Sequence, residues 1–160
     1  MDKTSIPNRE NGYLKDYVYL ITQSLRKLAN IEIVDFSLSI EEQAKQAFGS
    51  DYVLLAHNGA NEPIFNYANQ TALNLFEMSW EEITNMPSKY SAESDERDKR
   101  EKFIADVAEK GFSKNYSGIR ISKSGRRFEI KNVILWNVYD SENNRIGQAA
   151  LFDEYDYLNQ

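Results

Sequence analysis

At 160 residues, with 19 Lys and Arg against 25 Asp and Glu, the chain carries a formal net charge of −6, one histidine and no cysteine. Without a thiol, disulfides, cysteine nucleophiles, thiolate-bound zinc, iron–sulfur clusters and thiol adducts to a cofactor are excluded, and one imidazole cannot build a multi-histidine metal site. The acidic balance opposes the phosphate neutralisation on which nucleic-acid binding depends. A hydrophobic content of 41% and an aromatic content of 12% suit a folded domain, one that buries about 68–70% of its unfolded surface. The opening MDKTSIPNRENG has no apolar stretch of secretory type. The longest apolar runs, Val18 to Ile21 and Tyr52 to Ala56, fall far short of the ~20 residues of a membrane-crossing helix. The expectation is a cytoplasmic protein without nucleic-acid or membrane contact.

Residues 1–50 read as an N-terminal helical extension and 51–155 as the core domain. In the extension, Leu14, Val18, Ile21, Leu25 and Leu28 recur at spacings of 4, 3, 4 and 3, a helical stripe. Such a stripe suits either packing on the chain's own domain or the seam of a homodimer. Ile31 to Leu38 reads as extended. Ser39-Ile-Glu-Glu42 is a capping box opening a second helix, which Gly49 can end.

The core begins with a predicted hairpin, Tyr52 to His57 and Pro63 to Ala68 around the turn Asn58-Gly59. Asn69 stands where a helix cap belongs. Ser79 and Glu82 form a further capping box, with Met78 and Ile83 placed as its hydrophobic staple. Residues 93–102, ESDERDKREK, hold nine charges, and the pairs Glu93–Arg97, Asp95–Lys99, Glu96–Arg100 and Asp98–Lys102 each set the acid four residues before the base. This is the favourable order on a helix, and it predicts a solvated face. The opposite face carries Phe103, Ile104 and Val107, and Gly111 is a helix stop. Three strands follow: Tyr116 to Ser122, Arg127 to Tyr139 and Ile146 to Phe152. Strict alternation along the middle one places Phe128, Ile130, Asn132, Ile134, Trp136 and Val138 on one face. The element order predicts an α+β fold, an antiparallel sheet with helices on one face.

Pro63 to Ile83 is similar to the opening of a PAS domain, in which a strand ending in Tyr-x-Asn leads into short helices and a Ser-x-Glu-Glu helix start. Together with AHNG (56–59), PSKYSAE (87–93), YSGIRISKSGRRFEI (116–130), ILWNV (134–138) and GQAALF (147–152), in that order, the chain resembles the MEKHLA domain from about Tyr13 to Phe152. This PAS-related family includes stand-alone bacterial proteins and the C-terminal region of plant homeodomain–leucine-zipper factors. The resemblance implies a five-stranded antiparallel sheet with helices enclosing a cavity. It also implies a non-enzymatic sensory or protein-interaction role, with a small planar ligand, a homodimer or a protein partner, and it names no cofactor.

Asn132, amid an apolar face, and Gln148, on the last strand, are the candidate amides; either neighbours satisfy them or a ligand does. Tyr67, Phe103, Phe128 and Trp136 would line the cavity or simply fill the core. His57, at a strand end, would make a turn contact or serve as a ligand. Arg120, Lys123, Arg126 and Arg127 gather at one hairpin, as a solubilising edge or a contact for an acidic partner. Asp140 to Asn144 lacks the glycine and glutamate of a calcium loop and reads as a turn. No P-loop, dinucleotide fingerprint or G-x-S-x-G element is present.

Overall fold

The computed structural model describes residues 5–159; the first four residues of the predicted extension, and of the stretch read for a secretion signal, lie outside them. The Leu14–Leu28 stripe forms helix α1 (Lys15–Ala29), which ends at Asn30 in the left-handed conformation, its N–H returning to the Arg26 carbonyl at 2.9 Å. Val18, Ile21 and Leu25 are at most 1% exposed and pack on Leu54, Ala56, Trp136, Val138 and Ala149 of the sheet. Each such side chain contributes roughly 1.5–3 kcal/mol. The stripe is therefore taken up by the chain's own sheet and offers no coiled-coil seam.

Ser39 caps α2 (Ile40–Phe48) by accepting from the Glu42 N–H. The preceding Ile31 to Leu38 makes turns instead of the predicted extended piece. Asp35 Oδ1 accepts from both the N–H and the hydroxyl of Ser37, and Gln46 accepts the Asp35 N–H. These local bonds compete with strand pairing.

Strands β1 (Val53–Asn58) and β2 (Phe65–Ala68) form the hairpin. Asn69 then caps α3 (Gln70–Phe76), and Ser79 and Glu82 complete their reciprocal box at α4 (Trp80–Ile83). Helix α5 (Ser94–Lys110) stops at Gly111, whose φ of 104° and N–H bond to the Val107 carbonyl close it. Then come β3 (Phe112–Ile121), β4 (Arg127–Tyr139), β5 (Arg145–Phe152) and β6 (Glu154–Tyr157). The sheet is antiparallel in the order β2-β1-β5-β4-β3. The unanticipated β6 prolongs β5: Ile134 faces Leu151 and Lys131 faces Glu154, the same register on β4 either side of Asp153.

Two bulges decide which side chains face where. Asn115 on β3 (φ 66°) and Asn132 on β4 (φ 51°) adopt the left-handed conformation, and the β3–β4 register slips by one residue at each. An extra residue reverses the alternation beyond it. Phe128 and Ile130 before the bulge, and Val133 and Leu135 after it, therefore share one core with α3 to α5. Trp136 and Val138 turn to the opposite face, beneath α1 and α2. At the other edge of β5, a Cβ on Gly147 would lie 2.1 Å from the His57 carbonyl oxygen, so only glycine permits this approach of β5 to β1.

Candidate ligand cavity

Between the sheet and α5 lies a cavity of about 50 Å³. Its apolar wall includes Leu55, Phe65, Phe103, Val133, Leu135 and Phe152, and five buried polar side chains also reach it: His57, Ser91, Arg100, Arg120 and Gln148.

Gln148 stands opposite His57 on one neighbouring strand and Asn137 on the other. Its amide orientation is pinned by partners that can only accept: Nε2 donates to the Ile104 carbonyl at 3.0 Å and to Asn137 Oδ1 at 3.1 Å. Asn137 is oriented in turn by donating Nδ2 to the Ala108 carbonyl, while its Oδ1 also accepts from Arg145. The two amides stitch the C-terminal half of α5 to β4 and β5. They leave Gln148 Oε1 buried with no donor among the described residues.

His57 is 5% exposed. Its Nδ1 lies 3.0 Å from the Asn58 carbonyl, an acceptor only, so Nδ1 carries the proton. Burial pushes the imidazole down to about 4, with the cations Arg100 and Arg145 adding to the effect against the opposing hydrogen bond. The ring is neutral near pH 7, and Nε2 presents a lone pair that nothing among the described residues satisfies.

Arg100 and Arg120 are each 7% exposed. Arg120 lies on the inward row Tyr116–Gly118–Arg120 of β3. It donates to the Tyr116 hydroxyl at 3.2 Å and to the Ile119 carbonyl at 2.9 Å. The missing side chain of Gly118 makes the room: a Cβ there would come within 2.9 Å of both the guanidinium and the phenol oxygen. Arg100 has neither a hydrogen bond nor an ion pair to any described residue. Burial pushes its guanidinium down to about 10, and the neighbouring Arg120 cation acts in the same direction. Arg100 is charged at neutral pH, and neither arginine meets a carboxylate at ion-pair distance among the described residues.

The charge run of α5 thus behaves differently from the prediction. Of its four expected intrahelical pairs, none forms at ion-pair distance among the described residues. Glu93 instead meets Arg127 at 2.5 Å, Glu96 accepts the Ile119 N–H at 3.2 Å, and Arg97 donates to the Ala92 carbonyl. The basic hairpin disperses as well: Lys123 pairs with Glu82, Arg126 lies 3.4 Å over the Tyr157 ring, and Arg120 turns inward.

Of the residues singled out in the sequence, His57, Phe103 and Gln148 line the cavity, Phe103 stacked on Tyr116 at 4.1 Å. Phe128 stands behind the wall, edge-on to Phe76 at 5.3 Å. Asn132 is exposed and donates to Glu154 at 2.8 Å, because the bulge it forms carries it out of the core. Trp136, beyond that bulge, faces α1 and donates its indole N–H to the Ile21 carbonyl at 2.9 Å. Tyr67 belongs to the same second core, edge-on to Trp80 at 6.0 Å. Arg120, read from the sequence as part of a basic hairpin edge, lines the cavity instead, and Arg100 and Asn137 are not among the residues the sequence reading names for the site. Their signals were present: Arg100 precedes Phe103, Ile104 and Val107 by three, four and seven positions, the spacing of one helix face.

Among the described residues no three acidic or imidazole side chains converge as a metal site, and no helix is long and apolar enough to cross a membrane. The chain is similar in fold to a PAS domain from Colwellia psychrerythraea, with 12% identity, a TM-score of 0.63, and coverage of 74% of this chain and 96% of that one. A light-oxygen-voltage domain studied with a flavin analogue follows at 13% identity and TM-score 0.58, covering 78% and 88%. A PAS domain from a two-component sensor histidine kinase shows 16% identity and TM-score 0.54, covering 71% and 91%. No curated protein matches the sequence. The MEKHLA domain profile matches residues 15–157, a span that takes in α1 as well as the whole sheet, and the chain belongs to the MEKHLA domain family.

Proposed function

We propose that this chain is a non-enzymatic sensory domain that takes up a small molecule between the sheet and α3 to α5 and reports occupancy through α1. One observation carries the reading: a cavity at the centre of the fold is lined by His57 and Gln148, whose Nε2 and Oε1 are buried without a hydrogen-bond partner among the described residues, and by the buried Arg100. Each unmet group costs about 1–3 kcal/mol where nothing satisfies it, and here two of them face one space. The route to α1 is short. Leu135 and Asn137 face the cavity side of β4, while Trp136 between them holds the Ile21 carbonyl and the Tyr139 N–H donates to Ser24 Oγ at 2.9 Å. A ligand acts on α1 only as far as it binds one arrangement of β4 better than another.

The volume of about 50 Å³ lies far below the ~300 Å³ at which drug-sized pockets begin. A planar heterocycle would require α5 to part from the sheet, whereas a ligand of a few heavy atoms would not. The same small volume favours a second reading, a protein-interaction or dimerisation module with a filled core.

Hydrogen exchange by mass spectrometry on the full chain, with and without the low-molecular-mass fraction of an extract of the expressing cells, decides between them. Binding with transmission predicts slowed exchange in residues 100–107 and altered exchange in 17–25. A response confined to the cavity would leave a binding domain but remove the route through α1. No response in either segment would establish the filled-core module instead.

A further inference from the structure

We propose that the ligand of this cavity is a small organic carboxylate bearing a hydroxyl group, its carboxylate held between Arg100 and Arg120 and its hydroxyl directed at His57 and Gln148. The inference rests on the cavity being a ligand site and adds the chemical class.

Two guanidinium groups from different elements, one on α5 and one on β3, reach a single enclosed space, and no carboxylate from the described residues accompanies them there. Buried like charges without a counter-ion are unfavourable, and in a folded protein they are ordinarily paired. The expected partner has been diverted: Glu96, one turn before Arg100 on α5, is engaged by the Ile119 N–H, and the adjacent Glu101, whose charge acts favourably on Arg100, is exposed and forms no ion pair with it. Arg120 keeps its side chain in place through Tyr116 and Ile119, with room left by Gly118. Arg100 is left without a partner, close enough to both Arg120 and His57 for its charge to act on each. Planar guanidinium forks match a carboxylate in charge and shape.

Two further side chains on this cavity ask for the opposite chemistry. His57 Nε2 and Gln148 Oε1 are both acceptors, fixed in that role by the carbonyls that hold the other ends of their side chains, and both lack a donor. A ligand that satisfies the whole cavity therefore carries an anionic group at one end and an O–H donor at the other. A chloride ion supplies only the first. The volume admits about three to five water-sized groups, the scale of a two- or three-carbon hydroxy acid.

Isothermal titration and methyl NMR on the full chain, in a carboxylate-free buffer, test this with glycolate, L-lactate and acetate against glycolamide, ethylene glycol, chloride and phosphate. The expectation is that glycolate or L-lactate binds most tightly, perturbs the methyls of Leu55, Val133 and Leu135, and loses at least about 30-fold in affinity in Arg100→Gln. Gly118→Ala, which displaces the Arg120 head without removing a charge, weakens binding in the same direction. Acetate binding equal to that of glycolate would remove the hydroxyl from the assignment. Equal binding of glycolamide, ethylene glycol, chloride or phosphate would overturn the carboxylate assignment while leaving a binding cavity. If the panel is silent but a cell extract perturbs the same methyls, the ligand class is wrong and the sensory reading survives. Silence from both panel and extract defeats the two together.

Discussion

Replacing Arg100 by methionine should stabilise the ligand-free domain, although arginine is the native residue. The guanidinium is displaced downward from the ordinary arginine range to about 10 by burial and by Arg120, which at about 1.4 kcal/mol per pH unit corresponds to about 3 kcal/mol against the folded state. The sign follows from linkage. A base whose folded pKa is depressed takes up its proton less readily than in the unfolded chain, so the full cost is present below pH 10 and fades only as pH rises from there toward the ordinary arginine range. Methionine keeps most of the aliphatic stem against Phe103 and Ile104 but gives up about 1 kcal/mol of polar contact and fit. The net gain is about 1–2 kcal/mol, or about 2–8 °C in Tm for a domain of this size. Urea and thermal unfolding of wild type, Arg100→Met and Arg100→Lys at pH 7 measure it, with the lysine variant expected to show no gain because the charge remains. The gain should be constant between pH 6 and 9. A methionine variant less stable than wild type by 1 kcal/mol or more would refute the reasoning, because Arg100 would then be satisfied within the chain.

Acid stability should be governed at first by His57. Its folded value of about 4 lies below the ordinary 6.5, so the unfolded chain protonates first and stability falls as pH drops below 6.5, by about 2 kcal/mol at pH 5. As it is the only histidine, His57→Gln should flatten that interval in a Tm-against-pH curve, and a slope surviving the substitution would assign the loss elsewhere. Asn69 accepts the N–H groups of Leu54 and Ala72 and donates to the carbonyls of Ala47 and Tyr52. Asn69→Ala should therefore cost about 3 kcal/mol in chemical denaturation, and Asn69→Asp should fail to rescue because it sets oxygen against oxygen at Ala47 and Tyr52. At the β4 bulge, Asn132→Gly should be within about 0.5 kcal/mol of wild type and Asn132→Val should lose about 1–2 kcal/mol, since a β-branched residue resists the left-handed conformation.

The sequence disclosed what is written locally. The hydroxyl cap at Ser39, the capping box at Ser79, the stop at Gly111 and the stripe of α1 all depend on residues within one or two turns of each other and lie where the pattern puts them, although the reciprocal Glu42 half of the Ser39 box does not form. Gln148 is legible for the same reason, as an amide on an apolar strand, and it lines the cavity. Strict alternation sets Asn132 and Trp136 on the face of Phe128 and has no means of registering an inserted residue, while Tyr67, on β2, is read only as an aromatic that either lines the cavity or fills the core. The alternation fails at a single φ angle, and asparagine, one of the few residues that tolerate it, was the only local sign. The arginines were hidden by company. Arg100 sits in a run of charges that reads as solvated, and its inward face emerges only when the apolar positions 103, 104 and 107 are traced back one turn.

The bulge explains why there is a cavity at all. On an unbroken β4, the even-numbered residues would continue inward from Phe128 and Ile130, and the indole of Trp136 would point at the space that now lies beneath Arg100 and Phe103. The extra residue sends that bulk to the far face, where it anchors α1 through Ile21, and substitutes Leu135 and Asn137 on the near one. A matching insertion at Asn115 restores the register with β3, so the strand pair is distorted over only a few residues. The same local change thus empties a pocket on one face of the sheet and fastens a helix to the other, and the two are adjacent positions of one strand. Coupling between an occupied cavity and the docking of α1 requires no path longer than the peptide link from Leu135 to Trp136.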